Sequence, residues 1–88
     1  MKILENFVLQ KIADEHIVVP IGEAADKLHG VIKLSSTGVF LWKNLIESKT
    51  QDELVDILSS EYQIERGIAQ ADVQKFIKQL VEMGCIEQ

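Results

Sequence analysis

The spacing of hydrophobic residues changes once along this chain. In the first part, apolar residues recur at about every second position in segments rich in Val and Ile, which is typical of β-strands. We predict three short strands, Phe7–Ile12, His16–Ile21 and Gly30–Leu34. The connection at residues 13–15 has the length of a hairpin turn and the one at 22–29 is longer. An antiparallel meander is therefore the simplest arrangement.

In the second part the spacing becomes 3.6 residues, which predicts three helices. The first has Ser35 as its N-cap and runs to about Glu47, with an inner stripe formed by Val39, Trp42, Leu45 and Ile46. The second opens at Thr50–Glu53, a T-x-x-E capping box. The third covers about residues 66–84 and ends at a glycine suited to a left-handed cap. The order β-β-β-α-α-α predicts an α+β fold with helices on one face of the sheet.

The composition limits the class of protein. A chain of 88 residues, 47% hydrophobic, fits one domain over residues 1–88. Its longest apolar runs are far too short to span a bilayer and it has no signal-peptide pattern, so we expect a cytoplasmic protein without a membrane partner. The net charge of −5 opposes nucleic-acid binding.

No motif in the sequence indicates catalysis. The five glycines match neither a dinucleotide-binding nor a P-loop pattern. One cysteine, Cys85, and two histidines, His16 and His29, cannot make a recognisable zinc site. We expect a buried thiol packed on Leu80 and two exposed imidazoles. We therefore predict a protein that is not an enzyme and that needs no metal or cofactor.

Recognition by the backbone is what the pattern favours instead. A three-stranded meander has two open edges, and an open edge can accept an extended peptide as an added strand. If the third strand is that edge, the third helix is the best wall for a groove beside it, because Lys75 and Lys78 form a mildly basic strip on an acidic protein.

Three segments together resemble a known family. They are LSSTGVFLW (34–42), TQDELVDILSSEY (50–62) and ADVQKFIKQLVEMG (71–84), and in order and spacing they are similar to the coenzyme PQQ synthesis protein D (PqqD) family over about residues 6–87. The positions that carry the resemblance are Leu34, Thr37, Gly38, Trp42, Thr50, Glu53, Leu54, Asp72, Val73, Phe76 and Leu80.

The resemblance implies a winged-helix-like domain that binds the leader of a ribosomally made precursor peptide. Such a domain presents the leader to a modifying enzyme, usually a radical S-adenosylmethionine (SAM) enzyme, in PQQ or related peptide biosynthesis. The leader would add beside the third strand and pack on the third helix. The candidate peptide-binding residues are then Val31, Ile32, Lys33, Leu34, Gln74, Lys75, Lys78 and Gln79.

Other interpretations of the same pattern are open. Three helices beside a small sheet also suit a winged-helix nucleic-acid-binding protein, which would use the outer face of the third helix. A purely structural subunit of a larger enzyme is a third interpretation. An exposed strand edge can also pair with a second copy, so a homodimer is compatible with each of them.

Overall fold

The computed structural model describes residues 1–23, 25 and 31–87. These residues form an α+β fold in which a three-stranded antiparallel sheet precedes three helices, which confirms the predicted fold class. His29 and the predicted strand start at Gly30 lie outside the described residues. The elements are β1 (Lys2–Ile3), β2 (Phe7–Ile12), β3 (Glu15–Pro20), β4 (Ile32–Leu34), α1 (Ser36–Asn44), α2 (Gln51–Tyr62), α3 (Arg66–Met83) and β5 (Ile86–Glu87).

The main sheet is the predicted meander, with strand order β2-β3-β4. The β2–β3 hairpin closes with Ile12 opposite Glu15, so the turn has only two residues, and the first of them, Ala13, has a left-handed φ of 57°. Pro20 is the last residue of β3, where its missing N–H leaves no gap in the ladder to β2.

The direction of each backbone group follows from one bond. The N–H of Ile21 donates to the carbonyl of Asn6 at 2.9 Å, one step beyond the Phe7–Pro20 pair. Because successive residues of a strand direct their N–H and C=O groups to opposite sides, Val18 and His16 then bond toward β4. Val18 lies opposite Ile32 and His16 opposite Leu34. Ile32 and Leu34 therefore face β3, whereas the N–H and C=O of Lys33 point away from the sheet.

One face of the sheet packs on the helices. Its buried side chains are Phe7, Val18, Pro20 and Leu34, and Val18 is completely inaccessible. His16 shares this face and lies opposite Leu34, so it is half-buried rather than exposed as we expected. The alternation of apolar and polar residues predicted the strand but not the buried face of His16. Apolar residues lie on both faces of β3, so alternation does not distinguish the faces.

Two very short strands form a second sheet that the sequence did not predict. β1 pairs with β5, Ile3 opposite Ile86. The N–H of Leu4 also donates to the carbonyl of Cys85 at 2.8 Å. These strands are two residues long, so they are too short to show any periodicity.

Helix α1 is shorter than predicted. Its Ser35 cap is confirmed, since the hydroxyl accepts the Gly38 N–H at 3.2 Å, but the helix ends at Asn44 instead of about Glu47. The inner stripe is correct for Val39, Trp42 and Leu45, which are buried, and wrong for Ile46, which is 54% exposed. The chain leaves helical geometry after Leu45, so Ile46 is no longer held on the inner stripe.

Helix α2 has the predicted start, and helix α3 has the predicted end. The Thr50–Glu53 capping box is present in full at the start of α2. At the end of α3, Gly84 has a left-handed φ of 73°, and the N–H of Cys85 donates to the carbonyl of Leu80 at 2.9 Å. This Schellman-type ending places Cys85 in the core with no accessible surface. In the described part of the chain, none of the helices combines the length and the apolar character that crossing a membrane requires.

Candidate functional site

A groove of about 320 Å³ lies between the open edge of β4 and helix α3. The corner that joins β4 to α1 closes one end of it. The residues that line it come from β4, the corner, α1 and α3: Lys33, Leu34, Ser35, Thr37, Gly38, Leu41, Asp72, Lys75, Phe76 and Gln79. Among the described residues no strand pairs with this edge of β4, and a groove beside such an edge is the geometry that an added strand needs.

The strand side of the groove offers backbone groups. Within β4, Lys33 is the residue whose N–H and C=O point away from β3. Neither group bonds to another residue in the described part of the chain, so both can pair with an extended peptide. Its side chain is engaged elsewhere, because Lys33 Nζ lies 2.6 Å from Glu15 Oε1 on the neighbouring strand. Lys33 therefore contributes a donor and an acceptor of the main chain more than a free positive charge.

The floor of the groove is apolar. Leu34, Leu41 and Phe76 are all at least 93% buried and come from a strand, a helix and a second helix. Gly38 allows α1 to lie directly against the strand, because a Cβ at this position would be only 3.3 Å from Leu34 Cβ and Cδ2. Side chains of a bound peptide would find an apolar surface here.

One flank of α3 forms the helical wall of the groove. The buried stripe of this helix is Ala69, Val73, Phe76 and Leu80. Asp72, Lys75 and Gln79 stand on one side of that stripe at i, i+3 and i+7, and all three are exposed. The wall therefore presents a carboxylate, an ammonium and an amide. Among the described residues, neither Asp72 nor Lys75 takes part in a salt bridge.

The structure brings together four of the eight predicted peptide-binding residues. Lys33, Leu34, Lys75 and Gln79 line the groove. Val31 precedes β4 and is 55% exposed, and Ile32 packs against the core. Gln74 and Lys78 are exposed on α3 but do not line the groove. The roles of all eight remain predictions.

Sequence reasoning did not select several groove residues. The largest omissions are Asp72 and Phe76 on α3, and Gly38 and Leu41 on α1. Asp72, Gly38 and Phe76 were visible as positions of family resemblance, but periodicity alone cannot say which flank of a helix faces a sheet edge. Within the described residues, no group of three His, Cys, Asp or Glu side chains could hold a metal ion.

Comparisons with known proteins give one family. The model of the family described as Coenzyme PQQ synthesis protein D (PqqD) matches residues 9–86. A solved structure of TbiB1 in complex with the TbiA(beta) leader peptide is 26% identical, with a TM-score of 0.77, covering 99% of this chain and 95% of that one.

A second solved structure is similar in fold. Lasso peptide synthetase B1, complexed with the leader peptide, has a TM-score of 0.75 at 16% identity, covering 99% of this chain and 96% of that one. At that identity it supports the fold alone. The comparison with curated proteins gave no match.

Proposed function

This chain belongs to the coenzyme PQQ synthesis protein D family, and from that premise we propose that it binds the leader segment of a ribosomally synthesised precursor peptide as an added strand. The observation that carries this proposal is the outward-facing backbone of Lys33, beside a groove with an apolar floor. A leader-bound relative that is 26% identical over nearly the whole chain supports the same function.

In this proposal the chain acts as an adaptor and performs no chemistry itself. The leader pairs with β4 and places its side chains on Leu34, Leu41 and Phe76, while the rest of the precursor extends to a modifying enzyme. We assign a radical SAM enzyme as that partner. A precursor that lacks its leader should then not be modified, and the enzyme should co-purify with this chain more strongly when the precursor is present.

Amide hydrogen exchange tests strand addition directly. The N–H of Ile32 faces β3, so we expect it to be protected in the free protein, whereas the N–H of Lys33 faces outward and should exchange rapidly. Adding a synthetic leader peptide of a precursor that this chain binds should slow exchange at Lys33 and leave Ile32 unchanged. Leader binding without new protection at Lys33 would contradict strand addition at β4.

A further inference from the structure

Two opposite charges stand side by side on the helical wall of the groove. We propose that Asp72 and Lys75 select a peptide segment that carries one basic and one acidic residue two positions apart. This inference rests on the proposed function, because it needs an extended peptide in the groove. It names the charge pattern of that peptide, which neither the family nor the relatives specify.

The groove is not a general attractant for acidic peptides. Lys33 Nζ is already within 2.6 Å of Glu15, which leaves Asp72 and Lys75 as the groove-lining charges without an ion pair among the described residues. These two cancel each other in net charge, and the whole chain carries −5. A uniformly acidic peptide would therefore be repelled by the chain and would meet Asp72 as well as Lys75.

The spacing of the two charges sets the spacing on the peptide. Three residues along a helix advance by about 4.5 Å. Side chains on the same face of an extended peptide recur every two residues, about 6.6 Å apart. Charges on adjacent peptide residues would point to opposite faces, and charges four residues apart would be about 13 Å apart. A separation of two positions is the closest match that the flexible lysine side chain can accommodate.

The wall also distinguishes between the two directions of the peptide. Asp72 lies nearer the start of α3 and Lys75 nearer its end. For a given strand direction, the basic residue must therefore come either before or after the acidic one, and one order should predominate. Peptides with the charges reversed would place like charges together at both positions.

Selection from a displayed library of random short peptides tests the proposal. The probes are the wild-type chain and the double variant Asp72→Lys/Lys75→Asp. This charge-exchanged variant keeps the composition and the net charge and exchanges only the two charges on the helical wall. Both positions are exposed, so the variant should fold normally. A matched control, Gln74→Lys/Lys78→Gln, moves one charge along the outward side of the same helix and should select the same peptides as the wild type.

We expect the wild type to enrich peptides that carry one basic and one acidic residue two positions apart, in one order along the peptide. The variant Asp72→Lys/Lys75→Asp should enrich peptides with the two charges in the opposite order. A wild-type peptide should bind the charge-exchanged variant about five- to tenfold more weakly, since two exposed pairs of modest strength are lost and replaced by repulsion. Exchanging the two charges of the peptide should restore its affinity, and added salt should reduce the discrimination.

Each result separates this inference from the function on which it rests. If the wild type and the variant Asp72→Lys/Lys75→Asp enrich peptides with the same charge pattern, selection by Asp72 and Lys75 is refuted. Loss of peptide binding in Lys33→Pro would still support strand addition in that case. If peptides bind equally well to wild type and Lys33→Pro, or if none is enriched, both the proposed function and this inference are overturned.

Discussion

Replacing Lys33 by proline should weaken peptide binding strongly while leaving the sheet intact. Proline has no N–H, and within β4 the Lys33 N–H is the one directed away from β3. The bonds of Ile32 and Leu34 to β3 do not involve this group. Proline is also tolerated on edge strands whose N–H faces outward, so we expect little loss of folding stability.

The expected loss of affinity follows from the group left without a partner. The peptide carbonyl that would have accepted from Lys33 is buried against the edge, and an unpaired buried acceptor costs about 1–3 kcal/mol. This corresponds to a dissociation constant about 5- to 150-fold higher. The proline ring further obstructs the close approach of the added strand, so the upper part of this range is the expectation.

Fluorescence polarisation with the labelled leader measures the effect, and two variants control it. Lys33→Ala keeps the N–H and loses only an exposed ion pair with Glu15, so its affinity should stay within about twofold of wild type. Ile32→Pro removes a bond to β3 and should lower the melting temperature. If Lys33→Pro binds the leader as wild type does, with unchanged circular dichroism, the edge assignment is refuted.

The remaining predictions concern the core and the helix ends. Gly38→Ala should weaken leader binding, because the added Cβ would lie 3.3 Å from the side chain of Leu34 on the groove floor. Gly67→Ala, whose Cβ would meet no atom within 4 Å, should instead raise the melting temperature through a gain of up to about 1 kcal/mol in helix propensity; calorimetry and the same titration separate the two. Thr50→Ala should cost about 1 kcal/mol in chemical denaturation. The hydrogen bonds from the Thr50 backbone and hydroxyl lower the pKa of Glu53 below 4.5, so its contribution to stability should be present above pH 4.5 and be lost as the pH falls through the lowered pKa; a wild-type advantage over Glu53→Gln that persists in stronger acid would contradict this. Burial raises the pKa of the Cys85 thiol from 9.0 to about 11, so this thiol should resist alkylation in the folded protein, and folding stability should decrease as the pH rises from 9.0 through 11; rapid labelling under native conditions would show that the site opens.

Local chemistry made much of the fold predictable. The strand Phe7–Ile12, the Ser35 cap, the Thr50–Glu53 capping box and the left-handed Gly84 each depend on residues a few positions apart. Interactions between residues so close in sequence can be predicted from the sequence alone. The same reason explains why the family resemblance, which consists of short motifs at fixed spacing, indicated the correct class of protein.

The tertiary structure decided how those elements meet. Periodicity showed that α3 has a buried stripe but not that Asp72 and Lys75, rather than Gln74 and Lys78, stand beside β4. It also could not reveal the β1–β5 pair, which joins the two ends of the described chain through strands of two residues. Both features depend on contacts between residues far apart in sequence.

The sequence by itself determined the three main strands, the three helices, the caps at Ser35, Thr50 and Gly84, and a chain without a recognisable catalytic motif. Only the packed structure decided that the N–H of Lys33 faces outward, because that direction depends on the register between three strands. A shift of one residue in that register would turn the same backbone group inward. The candidate site therefore depends on strand register and helix packing, whereas the local sequence pattern determines only the strands and helices that form it.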